Sequence, residues 1–136
     1  MLSIKNLCVD IEKIHILHGI TFDVSKFSSV IGRNGAGKTT LIRSIINILP
    51  SHEGSIFFEN IELNKLKSHD MSSLGIGYMP EDRRLIPDLS VRDNILIPLW
   101  ALKSNNTEEE LEKVLTFIPE VKVFLSREAF QLSGGQ

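Results

Sequence analysis

A chain of 136 residues, 42% hydrophobic and 24% charged, is long enough for one domain with a real core and too short for two, and its composition is that of an ordinary globular protein. The net charge of −2 gives no reason to expect a nucleic-acid partner, and the local cluster Arg83-Arg84 is too small to change that. The single Cys8 excludes an internal disulfide, fits a reducing compartment and suits core packing in a strand.

The N-terminus, Met1-Leu2-Ser3-Ile4-Lys5, lacks the basic-then-apolar layout of a signal peptide. Leu2, Ile4, Leu7 and Val9, then Ile14 and Ile16, then Ile20, Phe22 and Val24 alternate as short antiparallel strands do. Phe27 to Ile31 predicts a brief strand feeding a Gly-rich loop. Leu41, Ile42, Ile45, Ile46 and Leu49 recur at helical spacing, which predicts a helix over 39–49 ended by Pro50. Ser51 to Gly54 is a turn, Ser55 to Glu59 a further strand, and Ile76 to Met79 a short strand stopped by Pro80. Val91 to Leu102 can be helical, with Pro98 kinking or dividing it. Thr107 to Glu110 matches a capping box, with Leu111, Val114, Leu115 and Ile118 on one face of the helix that follows. A strand-rich part over 1–87 thus precedes a helical part over 88–136. The longest nearly apolar run, Ile95 to Leu102, falls far short of the roughly 20 residues a membrane span needs. Any membrane connection comes through a partner.

Gly32, Gly37, Lys38 and Thr39 meet the pattern G-x-x-x-x-G-K-[ST], a Walker A loop. Glycines let the backbone wrap around phosphate oxygens, and a helix beginning near Lys38 adds its positive end. Lys38 then reaches the β- and γ-phosphates, and the Thr39 hydroxyl can hold Mg²⁺. Far along the chain, after a helical stretch, stands Leu132-Ser133-Gly134-Gly135-Gln136. Alone, Ser-Gly-Gly is a weak signal; behind a Walker A loop it is strong.

With these two segments the chain resembles the ATP-binding subunits of ABC transporters, over the N-terminal part of the family's domain. Gly75 to Arg84, followed by Leu85 to Asn94, is similar to the family's Q-loop region. Glu81 stands where most members carry Gln. Glu at this place, with Asp82-Arg83-Arg84 after it, resembles the branch serving branched-chain amino acid uptake, as do His15 to Gly19 and Gly32-Arg33-Asn34.

The resemblance implies a truncated P-loop ABC ATPase fold of the α/β class: antiparallel strands and a RecA-like core portion, then a helical subdomain. It implies ATP and Mg²⁺ as ligands. The binding residues it assigns are Gly32, Arg33, Asn34, Gly35, Ala36, Gly37, Lys38, Thr39, Thr40, Glu81, Ser133, Gly134, Gly135 and Gln136, with Thr39 and Glu81 toward the metal. Ser133 and the N–H groups of Gly134 and Gly135 are expected to form an anion-binding helix start serving the nucleotide of a second ATP-binding subunit, docked head to tail. Membrane permease subunits would dock near Glu81 to Leu89, where Leu85, Ile86, Pro87 and Leu89 are core or groove floor. A solute-binding protein would act indirectly, and the location would be cytoplasmic, at the inner face of the membrane.

Two departures qualify the carry-over. Ile11 falls where the family stacks an aromatic residue on adenine, and the turn Ser25 to Ser29 is about two residues short. The family's Walker B Asp and Glu and its switch His follow the signature, so a polypeptide of these 136 residues is expected to be inactive alone. Transport of another small solute such as urea, or a non-catalytic remnant, are the alternatives. A soluble family member acting on DNA or ribosomes fits poorly, because the stretch between Lys38 and Leu132 holds no coiled coil and no second cassette is visible. His15, His18, His52 and His69 have no metal-ligand spacing, and Trp100 reads as helix packing.

Overall fold

The computed structural model describes residues 1–82 and 85–135. The backbone divides into two units, Met1–Tyr78 and Met79–Gln136.

In the first unit the alternating N-terminal residues form one long hairpin. Strands β1 (Leu2–Ile11) and β2 (Ile14–Val24) pair antiparallel from Leu2↔Val24 to Ile11↔Ile14. Glu12 and Lys13 turn the chain with φ of 48° and 71°. Two left-handed residues match the right-handed twist of the strands, although such turns favour Asn-Gly. Strand β3 (Glu53–Phe58) pairs with the other edge of β1, and β4 (Ile61–Glu62) pairs with β3, so the sheet order is β2-β1-β3-β4. β3 lies earlier than the alternation predicts, and Glu59 leaves it with a φ of 56°. Ile4, Leu7, Val9, Leu17 and Ile56 from the sheet are buried with Leu41, Ile46, Leu63 and Met71. Full burial of such a side chain is worth about 1.5–3 kcal/mol, so this cluster is the chief stabilising element of the unit.

Helix α1 (Lys38–Ile45) sits between β2 and β3 and buries Leu41. It is shorter than the apolar spacing predicts, and Pro50 is not what ends it. Asn47 turns left-handed with a φ of 53°, and its amide nitrogen donates to the Leu66 carbonyl at 2.6 Å, which draws the chain off the helix axis. Two predicted strands do not form. Phe27 to Ile31 has no ladder partner among the described residues, and Phe27 and Ile31 are 104% and 93% exposed. Ile76 to Met79 is likewise unpaired, following a 3₁₀ segment, Ser68–Leu74. Apolar β-branched residues favour a strand, but only a neighbouring strand makes one.

In the second unit, α2 (Val91–Ala101) and α3 (Thr107–Phe117) close over Leu96, Leu111 and Leu115, with Ile95, Leu99, Val121 and Leu125 packed around them. Ser90 caps α2, its hydroxyl oxygen accepting from the Asp93 N–H at 3.0 Å. Pro98 does not divide the helix; it forgoes a bond to the Asn94 carbonyl close to the C-terminal end, where the loss interrupts little. The expected capping box at Thr107 is absent. Thr107 is already helical, Asn106 stands at the cap without a side-chain bond, and Val114 and Ile118 lie at the edge rather than inside. Glu109 and Glu110 instead pair with Lys113, and the bonds to Glu110 and then Glu109 hold its ammonium above the usual lysine range. Arg92 pairs with Glu108 between α2 and α3. Trp100, expected to pack, is 48% exposed.

At Gly54 β3 crosses the bulge in β1 with a φ of 90°, and a Cβ there would lie 2.4 Å from the Asn6 carbonyl oxygen. Gly54→Ala is therefore expected to cost about 2 kcal/mol or more in urea denaturation. Gly77→Ala, where a Cβ meets nothing within 4 Å, should stay near the parent. Equal stability of the two variants would refute this account of the bulge.

Candidate functional site

The Gly-rich loop leaves β2 through the unpaired segment and enters α1 at Gly37, whose φ is 88°. That left-handed φ favours glycine, and a Cβ here would also come within 2.9 Å of Leu17 Cδ2 on β2, so the Leu17 side chain would have to shift. The sheet thus presses directly on the start of the helix. The Ala36 N–H donates to the Arg33 carbonyl at 3.2 Å, which closes the loop as a turn.

Lys38 is the first helical residue, and its side chain folds back into the loop. Its ammonium donates to the carbonyls of Gly32 and Arg33, each at 2.8 Å. Gly37 has no side chain with which to cap the helix, and the first turn carries no acidic residue. The positive end of α1, the Lys38 ammonium and Arg33 therefore meet no carboxylate from the helix start itself. Thr39 lies exposed in the first turn, and Thr40 beside it is half-buried. Gly32, Arg33, Asn34, Gly35 and Ala36 are all exposed. These residues, Gly32 to Thr40, form one continuous loop and helix start in the first unit.

The remaining expected site residues belong to the second unit. Glu81 is exposed in a turn. Arg83, Arg84 and Gln136, part of the Q-loop and signature readings, lie outside the described residues. Leu85 and Ile86 are 53% and 45% exposed, so of the two expectations for this segment they are not core. Ser133 is exposed and non-helical and Gly134 and Gly135 lie in a turn, so the expected helix start is not formed within the described residues.

The approach to the signature is held by bonds the sequence did not announce. The Ala129 N–H donates to the Leu89 carbonyl at 2.9 Å, Phe130 to Pro87 at 3.2 Å, and the Val91 N–H to the Arg127 carbonyl at 2.8 Å. Asn94 secures the other side of this strap. Its amide nitrogen donates to the carbonyls of Ile86 and Ser90, both at 3.0 Å, and its oxygen accepts from the Ile86 N–H at 2.8 Å. An Asn in a first helical turn facing the preceding loop was the one available signal.

This is the fold of ATP-binding cassettes. A dimeric bacterial ABC transporter cassette aligns with a TM-score of 0.83 at 26% identity, over 100% of this chain and 65% of its own. A dimeric cassette in a post-hydrolysis state bound to ADP and Pi aligns at 0.82 and 26% identity, with the same coverage of 100% and 65%. The chain belongs to the ABC transporter family, whose model matches residues 17–136. It is 32% identical to a probable branched-chain amino acid transport ATP-binding protein, LivF, of Archaeoglobus fulgidus, over 100% of this chain and 58% of the relative. It is 31% identical to the high-affinity branched-chain amino acid transport ATP-binding protein BraG of Pseudomonas aeruginosa, over 100% and 59%. It is also 27% identical to the lipopolysaccharide export system ATP-binding protein LptB of Escherichia coli K12, over 99% and 58%. The chain thus spans well under two thirds of the length of these curated relatives. No helix among the described residues is long and apolar enough to cross a membrane.

Asn94→Ala removes the bonds to Ile86 and Ser90 and should destabilise the second unit by about 1–2 kcal/mol. Hydrogen exchange should then rise at Ile86 and along 127–130 while β1 is unchanged. Unaltered protection along 127–130 would show that the strap does not depend on Asn94.

Proposed function

We propose that the chain is the nucleotide-holding portion of an ABC transporter ATP-binding subunit, with Gly32 to Thr40 as the cradle for the phosphates of ATP. The observation that carries this reading is Lys38, whose ammonium is turned into the loop onto two carbonyls at 2.8 Å, at a helix start with no side-chain cap and no acid. Phosphate oxygens are stronger partners for an ammonium than neutral carbonyls, so a nucleotide draws Lys38 from Gly32 and Arg33 onto its β- and γ-phosphates. Backbone N–H groups around Gly35 to Thr40 and the dipole of α1 bind the same charge.

The donor chemistry at Thr39 and Glu81, a hydroxyl and a carboxylate, fits Mg²⁺, which takes hard oxygen ligands. When bound, that ion neutralises charge on the phosphates. Ser133, Gly134, Gly135 and Gln136 serve the nucleotide of a second ATP-binding subunit placed head to tail. Permease subunits dock along Glu81 to Leu89, and the exposure of Leu85 and Ile86 supports an apolar contact there. The subunit then lies at the inner face of the membrane through those partners. The solute we propose is a branched-chain amino acid, supported by Glu81 with the Asp82-Arg83-Arg84 run and by the names of two relatives. A different small solute is the second reading, favoured by similarity to relatives with other cargoes.

A polypeptide of these 136 residues should bind a fluorescent ATP analogue weakly, and Lys38→Ala should weaken that binding about tenfold or more, or ~1.4 kcal/mol. It should not hydrolyse ATP, since the water-orienting carboxylate that the resemblance assigns to Walker B is not among these residues. Binding that ignores Lys38 would sink the phosphate assignment. Lys38-dependent turnover would show that the missing groups come from elsewhere. For the solute, uptake of labelled leucine by cells co-expressing the subunit with its permease is expected, and uptake of urea alone would favour the second reading.

A further inference from the structure

Sequence spacing gives the histidines no metal signature, yet the sheet brings two of them to one carboxylate. Asp10 near the end of β1 and His15 near the start of β2 are direct cross-strand partners. His52 immediately precedes β3, and its N–H donates to the Cys8 carbonyl at 3.1 Å, which fixes it beside the same end of β1. Both histidines aim Nδ1 at a single oxygen, Asp10 Oδ1, His15 at 2.5 Å and His52 at 3.3 Å. One nitrogen from each ring and one carboxylate oxygen all lie within 4.8 Å of one another.

We propose that Asp10, His15 and His52 form a binding site for a divalent transition metal of the zinc class. Two imidazoles and one carboxylate are borderline ligands, which select Zn²⁺, Cu²⁺ or Ni²⁺ over Mg²⁺ or Ca²⁺. Metal–ligand bonds of about 2.0–2.2 Å hold tetrahedral ligands roughly 3.4 Å apart, so His52 is already correctly spaced from Asp10 at 3.3 Å, while His15 must move out from 2.5 Å to admit the ion between them. Their side chains are free to do so, being 62%, 41% and 33% exposed for His15, His52 and Asp10. That exposure also leaves a fourth position to water. Without an ion, a partly exposed Asp–His pair contributes little to stability. With one, the hairpin turn at Glu12-Lys13 is tied to the loop ahead of β3.

A competing set, Cys8, His52 and Glu53, is equally close. Two of its members are bonded to groups outside the set, Cys8 Sγ accepting from the Gly19 N–H at 3.2 Å and Glu53 Oε1 from the Asn6 amide at 2.5 Å, whereas the contacts of His15 and His52 with Asp10 lie within their own set and are exchanged for bonds to the ion. His18, with its ring centroid 6.0 Å from that of His15, is not among the groups that converge.

The test is titration of the untagged full chain with Co²⁺ as a spectroscopic probe, followed by displacement with Zn²⁺, with circular dichroism confirming that each variant is folded. One equivalent should bind, with ligand-field absorption that Zn²⁺ abolishes, and Zn²⁺ should raise the thermal midpoint. His15→Ala and His52→Ala should each weaken Zn²⁺ about tenfold or more, and the more conservative His15→Asn should do the same. His18→Ala should bind as the parent does. Absence of stoichiometric binding by folded chain overturns the proposal. So does a site that survives His15→Ala and is lost in Cys8→Ser, which would assign the ion to the competing set.

Discussion

The first unit depends on the double pairing of β1. This strand carries β2 on one edge and β3 on the other, so each later feature of the unit is placed by reference to it. Its bulge near Asn6 sets where β3 can cross, and Gly54 is the only residue small enough for that crossing. On the other edge, β2 brings Ile16 and Leu17 against Gly37, so the sheet fixes the point at which the loop becomes helix. A phosphate loop works through backbone N–H groups whose directions are set by a few dihedral angles. At Gly37 the neighbouring Ile16 and Leu17 of β2 bear on those angles where the loop joins the helix.

The second unit solves a similar problem with hydrogen bonds rather than a sheet. The signature is short and glycine-rich, and Leu132 is its one apolar side chain. Its position is inherited from the strap at Arg127 to Phe130, which bonds to Pro87, Leu89 and Val91. Asn94 then satisfies the loop backbone at Ile86 from the first turn of α2. Asn94 and the strap hold the same loop, since the Leu89 carbonyl accepts from both the Asn94 amide and the Ala129 N–H. The packing beneath it is small, centred on Leu96, Leu111 and Leu115.

Membership in the ABC transporter family follows from the match over residues 17–136 and from the cassette fold. The solute does not follow in the same way. The relatives the chain matches include two named for branched-chain amino acid transport and one named for lipopolysaccharide export. In the reading proposed above, cargo choice rests on the surface offered to a permease, for which the exposed Leu85 and Ile86 are the candidates. The Asp10–His15–His52 cluster is of another kind, since it uses none of the loop or signature residues.

Fixed-spacing motifs were legible in the linear chain because their chemistry is local. Gly37 followed by Lys38 and Thr39 specifies a loop-to-helix turn wherever it stands, and the structure places Lys38 as the first residue of α1. The β1–β2 hairpin was legible for the same reason, its alternation and its turn lying within a short stretch. Phe27 to Ile31 and Ile76 to Met79 were misread, because a strand is a property of two segments and composition describes only one. The length of α1 was misread because Asn47 answers to the Leu66 carbonyl, a partner distant in sequence. The meeting of Asp10, His15 and His52 was invisible for a stronger reason. Cross-strand register brought Asp10 opposite His15, and one backbone bond to Cys8 brought in His52; sequence spacing contains neither distance. Sequence alone determined the loop-to-helix turn at Gly37-Lys38, the hairpin and the family resemblance; tertiary structure decided which apolar segments become strands and which polar side chains come together, because pairing and convergence depend on partners far away in the chain.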